Sequence, residues 1–183
     1  MKYQGIMGIG FLILIGLGCT DRLAQMQNTC QGTWELALRQ LPNGTELRPP
    51  QIQGGMCWIP LDSRKAHVTI YVQVEATEKT PRRFDYAAST YELSTSAITR
   101  KRHLLLRQGY RSSATMPLAV YGREKKAKGK ISVGDGTIRI SHTFDDRGRG
   151  SEKEEYDQVF AGNTMTISYT DAFTDTWRKE RSP

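Results

Sequence analysis

The chain is poor in the residues that most chemistry requires. Its 183 residues hold only three cysteines and three histidines. His67, His103 and His142 are dispersed and lack the spacing of a metal site, and Cys30 and Cys57 lie too far apart to make one by themselves. There is no Gly-x-Ser-x-Gly, no His-Glu-x-x-His, no phosphate-binding glycine loop and no dinucleotide fingerprint. Asp145-Asp146-Arg147-Gly148 is not a calcium loop, because its spacing is wrong and Arg147 intrudes. No catalytic set can be assembled, so the chain reads as a non-enzyme with no cofactor. The longest apolar run, Ile6 to Gly18, would span about 20 Å as a helix, short of the ~30 Å hydrocarbon core. A polytopic membrane protein is thereby excluded, and seven prolines with seventeen unrepeated glycines exclude a collagen.

What is present begins with that run. Lys2 precedes it, and a basic start followed by a short apolar stretch is the pattern of a secretory signal peptide over residues 1–18. Ile15-Gly16-Leu17-Gly18-Cys19 resembles the lipobox of bacterial lipoproteins, departing from it at Gly16 and Leu17. The resemblance implies cleavage before Cys19 and a lipid on its thiol. Residues 19–31 then read as the lipidated cysteine and a polar tether, and residues 32–183 as the globular domain. Thr20, rather than Asp, after the cysteine implies the outer membrane of a bacterial envelope, facing the periplasm. With Cys19 lipidated, Cys30 and Cys57 remain as an even pair in an oxidising compartment, which makes a disulfide between them an expectation.

The body has a period of two. Val68, Ile70, Val72 and Val74 alternate with Thr69, Tyr71 and Gln73. Ile138, Ile140 and Phe144 do the same, with His142 on their face, as do Met165, Ile167 and Tyr169. Alternation of this kind predicts strands with one buried and one wet face. Turn signals separate the runs at Asn43-Gly44, Gly54-Gly55, Gly134-Asp135-Gly136 and Gly162-Asn163. No long amphipathic helix is evident. The expected fold is all-β, an antiparallel up-and-down barrel, with a β-sandwich as the alternative.

Gly32-x-Trp34 at the head of the first strand resembles the Gly-x-Trp motif of lipocalins and related calycins, and of bacterial lipocalin-like domains in particular. The resemblance implies that Trp34 plugs the closed end of a barrel and that a basic residue of the last strand, Arg178, packs across it. It also implies a cavity for a small hydrophobic or lipid-like ligand.

The net charge of +7 is concentrated in two clusters. One is Arg100, Lys101, Arg102, Arg107 and Arg111; the other is Arg123, Lys125, Lys126, Lys128 and Lys130. Such clusters can bind nucleic acid, but export to an envelope argues against that partner. Solvated loop charge is the simpler reading, attraction to anionic headgroups the next. The competing function is therefore a structural or protein-interaction module with a filled barrel and a basic surface.

Overall fold

The period-two runs become strands of one continuous antiparallel sheet. The computed structural model describes residues 22–76, 82–108, 119–121, 125–134, 136–144 and 154–180. The apolar run, Cys19, Arg111 and Arg123 lie outside these residues. The strands are β1 (Gly32–Gln40), β2 (Glu46–Leu47), β3 (Ile52–Asp62), β4 (Lys65–Val74), β5 (Arg83–Leu93), β6 (Ala97–Gln108), β7 (Ala119–Tyr121), β8 (Lys125–Gly134), β9 (Thr137–Phe144), β10 (Glu154–Ala161), β11 (Thr164–Tyr169) and β12 (Phe173–Lys179). Each main strand pairs with the next along the chain. Strand β1 pairs with β3 on one side and β12 on the other, which closes a ten-stranded up-and-down barrel. Strands β2 and β7 are short additions that pair with β1 and β6. Closure leaves no long open edge, and each wall residue faces either the lumen or the outside.

The turn signals at Asn43-Gly44, Gly134 to Gly136 and Gly162-Asn163 fall at links between strands, but Gly54-Gly55 makes no turn: both residues lie inside β3, paired with Val72 and Tyr71 of β4. Gly162 sits at φ 58° in the two-residue link between β10 and β11, and Gly44 at φ 81° in the link after β1.

Residues 22–30, which read as part of a polar tether, are instead a helix packed on one end of the barrel. Leu23, Met26, Gln27 and Cys30 fall on one face at helical spacing, and Met26, Gln27 and Cys30 are buried. Gln27 supplies polar contacts to the barrel. Its side-chain amide donates to the carbonyls of Asp62 (3.2 Å) and Lys65 (3.3 Å), and its oxygen accepts from Trp58 Nε1 (3.3 Å). A glutamine amid the apolar positions hides the pattern in the sequence.

The same end is filled by aromatic and aliphatic side chains. Trp34, Trp58, Trp177 and Phe160 are fully buried, with Leu36, Ile98, Ile138, Ile140 and Met165 around them. Trp34 meets Phe160 edge-on at 5.4 Å, and Phe160 meets Trp58 at 6.0 Å.

Candidate functional site

Trp34 is buried at the end of the barrel that carries the helix, and Arg178 is not packed across it. Across the β1–β12 ladder Trp34 lies opposite Lys179 and Glu35 opposite Arg178. Successive strand residues face opposite ways, so Trp177 and Lys179 turn inward while Arg178 is exposed. The Lys179 ammonium lies 5.3 Å from the Trp34 ring centroid. It also donates to the carbonyls of Asn28 (3.4 Å) and Thr29 (3.2 Å) at the helix C-terminus, where a cation is favoured. Trp34 Nε1 donates to the Cys30 carbonyl at 3.0 Å. Gly32 has φ +116°, and a Cβ there would stand 3.0 Å from Lys179 Cε. Only glycine makes this turn without strain.

The expected disulfide is absent: Cys30 and Cys57 are both free thiols. Cys30 is buried beneath the barrel, whereas Cys57 lies between the inward-facing Met56 and Trp58 and so faces outward. The sheet stands between the two sulfurs. Burial pushes the Cys30 thiol far above its ordinary range, against a smaller pull from Lys179.

The opposite, open half of the lumen is different in kind. A cavity of about 90 Å³ is lined by Arg39, Arg83, Arg100 and Arg102, by Asp85 and Asp175, and by Tyr169, Phe173 and aliphatic side chains from β4, β6 and β11. Arg39 and Asp175 form a bidentate pair, with Nε to Oδ1 at 2.6 Å and Nη2 to Oδ2 at 2.7 Å. The Arg39 guanidinium lies 3.7 Å from the Phe173 ring centroid. Burial pushes the Asp175 carboxyl up, and the hydrogen bonds and charge of Arg39 pull it back. Arg100 donates to the Ser89 hydroxyl (3.0 Å) and the Tyr156 hydroxyl (2.7 Å). Arg83 pairs with Asp85 at 3.3 Å.

Two irregularities aim these arginines. A bulge between Leu36 and Leu38 shifts the facing of β1, so Arg39 points inward although Trp34 and Leu36 do too. In β6, Ile98, Arg100 and Arg102 share the inward face. A second irregularity, where Ala88 pairs with Leu104 and Ser89 with Arg102, follows them and restores Leu105 to the lumen. The first basic cluster is therefore split. Arg100 and Arg102 are buried at 9% and 7% exposure, and Lys101 lies on the other face. Of the second cluster, Lys128 and Lys130 are exposed.

His142 lies inside, as its strand face predicts, stacked on Tyr156 at 4.5 Å and edge-on to Tyr91 at 5.8 Å. Neither ring nitrogen has a hydrogen-bond partner among the described residues. Burial, and secondarily the Arg100 charge, lowers its pKa to about 3. The aromatic contacts then run on from Tyr156 through Tyr169 (5.0 Å) to Phe173 (4.7 Å), linking the packed half to the arginine-lined half. His67 is partly exposed on β4, and the exposed His103 shares a 2.8 Å hydrogen bond with Thr90. Among the described residues no group of His, Cys, Asp or Glu is placed to hold a metal, and no helix is long and apolar enough to cross a membrane. A wider groove of about 590 Å³ crosses β8 to β11, where Lys128, Lys130, Glu155 and Asp157 are among its lining residues.

No family model matches the chain, and no curated protein matches it. Among solved structures, the crystal structure of Rv2717c from M. tuberculosis is similar in fold, with a TM-score of 0.50 at 9% identity. The likeness covers 87% of this chain and 98% of that one.

Proposed function

We propose that the protein is a membrane-anchored envelope lipoprotein whose barrel takes a small hydrophobic or lipid-like ligand into its open half. The lipobox-like Gly18-Cys19 supports the anchor, and with it a place on the periplasmic side of the outer membrane. The observation that carries the binding reading is the division of the lumen. One half is packed solid, while the other keeps a cavity lined by charged, aromatic and aliphatic side chains. A few polar groups set among apolar ones is the usual make-up of a small-molecule site. The cavity is smaller than the ~300–1,000 Å³ of a drug-sized site, so it holds one end of such a ligand. The helix at residues 22–30 covers the opposite end of the barrel.

Native mass spectrometry of the full chain, extracted from membranes in mild detergent, tests this reading. A retained small molecule of fixed mass is expected. A bare protein mass, with nothing recovered by solvent extraction, overturns it.

The second reading, an interaction module with a filled barrel, draws on the solid closed half and the outward Lys128 and Lys130. Cross-linking in cells from these two lysines distinguishes it: one reproducible protein partner together with a bare mass favours the module.

A further inference from the structure

Among the described residues three large apolar side chains are substantially exposed: Ile59 at 48%, Leu61 at 58% and Tyr71 at 44%. All three belong to the β3–β4 hairpin. Trp58 on β3 and Val68 on β4 are buried toward the lumen, so Ile59 and Tyr71, at odd spacing from them, face outward. Leu61 follows on the same face as Ile59, next to the turn. Tyr71 pairs with Gly55, where a Cβ would stand 2.5 Å from the Tyr71 ring, so the missing side chain lets the ring lie against β3. Apolar residues exposed singly are ordinary, but three gathered on one hairpin mark a contact surface.

The turn of this hairpin is tied to the helix at residues 22–30. Gln27 donates to the carbonyls of Asp62 and Lys65 on either side of that turn. Arg22 stands five residues before Gln27, about 7.5 Å along the helix axis. Only Thr20 and Asp21 separate Arg22 from Cys19, and three peptide links span at most about 11 Å. With the reach of the Gln27 side chain added, Cys19 lies within about 25 Å of the β3–β4 turn. A lipid on Cys19 therefore holds this turn close to the bilayer.

From this we infer that the outer face of the β3–β4 hairpin is a membrane-docking surface, on which the anchored barrel rests with Ile59 and Leu61 among the lipid headgroups. The inference rests on the lipid anchor proposed above and adds a fixed posture to it. From Leu61 to the row of Gly55 and Tyr71 the strand rises about 20 Å, so the barrel leans on this wall rather than standing on its rim. Leucine and isoleucine bury in the boundary between headgroups and acyl chains, and tyrosine suits the headgroup level. Arg22 and Arg64 are exposed toward the same end and supply cations for lipid phosphates. The short tether favours the lipid surface as occupant over a second protein.

The full chain, taken from membranes in mild detergent, is reconstituted into phosphatidylcholine vesicles with and without lipids brominated on their acyl chains. Leu61→Trp and Ile59→Trp place a fluorophore on the docking face, and Asn43→Trp places one in the exposed link after β1. The emission of the parent, with its three buried tryptophans, is subtracted. Brominated lipid is expected to quench the added emission of Leu61→Trp and Ile59→Trp at least twofold more than that of Asn43→Trp. Should one variant on the docking face fail to fold, the other decides. Equal quenching at all three positions, in protein that floats with the vesicles, overturns the docking surface and leaves the anchor standing. Unquenched emission together with cross-linked dimers through the hairpin also overturns it, and makes the face a contact between copies. Protein that does not float with the vesicles overturns the anchor and the docking surface together.

Discussion

Arg39 on the first strand and Asp175 on the last are direct partners in the ladder that closes the barrel, and their side chains meet inside it. The pair thus locks the seam of the cylinder from within. Its carboxylate is out of water and depends on one guanidinium. Asp175→Asn is expected to cost about 3–5 kcal/mol, because it strands the buried Arg39 cation. The double replacement Arg39→Met, Asp175→Leu is expected to cost less than that single change. Urea denaturation of the three variants checks both statements, and a single-variant cost below about 1 kcal/mol would contradict a buried pair.

His142 makes stability depend on pH. Its folded pKa of about 3 lies below its ordinary 6.5. Between these values the unfolded chain takes up a proton that the folded chain refuses, so stability falls as the pH drops from about 6.5 toward 3. At pH 5 the loss relative to pH 7.5 is about 2 kcal/mol. His142→Phe keeps the stacking on Tyr156 and removes the titration. Its Tm is expected to exceed the parent's by more at pH 5 than at pH 7.5. Parallel Tm curves for parent and variant across that range would sink the assignment.

Lys179 rather than Arg178 secures the closed end. Lys179→Met removes the cation over Trp34 and the contacts to the helix carbonyls, and is expected to cost about 1 kcal/mol. Arg178→Met, at an exposed position, is expected to stay within about 0.5 kcal/mol of the parent. Thermal denaturation ranks the two, and the reverse order would mean the inward face of β12 is misassigned.

The two thiols on β3 and beneath the barrel differ in access. In native protein Cys57 is expected to react with an aromatic disulfide reagent, while Cys30 reacts only after unfolding in urea. A reducing agent is expected to leave Tm unchanged. A drop of several degrees on reduction would reveal a covalent link between them.

Much of the wall was legible in the residues. The alternation around Val68–Val74, Ile138–Phe144 and Met165–Tyr169 marks real strands, and Gly162-Asn163 marks a real two-residue turn. The site was not legible, because it depends on facing. Arg39 follows an alternation that a bulge reverses, and the sequence carries no mark of that bulge. Arg100 and Arg102 look like surface charge next to Lys101, and only their shared parity with Ile98 gives a hint. The helix at residues 22–30 hides behind Gln27, whose polarity is satisfied by strand-end carbonyls some 35 residues away.

The sequence by itself determined that this chain forms two-faced strands joined by tight turns, since side-chain period and turn chemistry are local properties. Only the tertiary structure decided which charges are buried. Closing the sheet pairs the first strand with the last, and two irregularities in the ladders choose which arginines enter the lumen. Those are relations between residues far apart in the chain, and no local pattern encodes them.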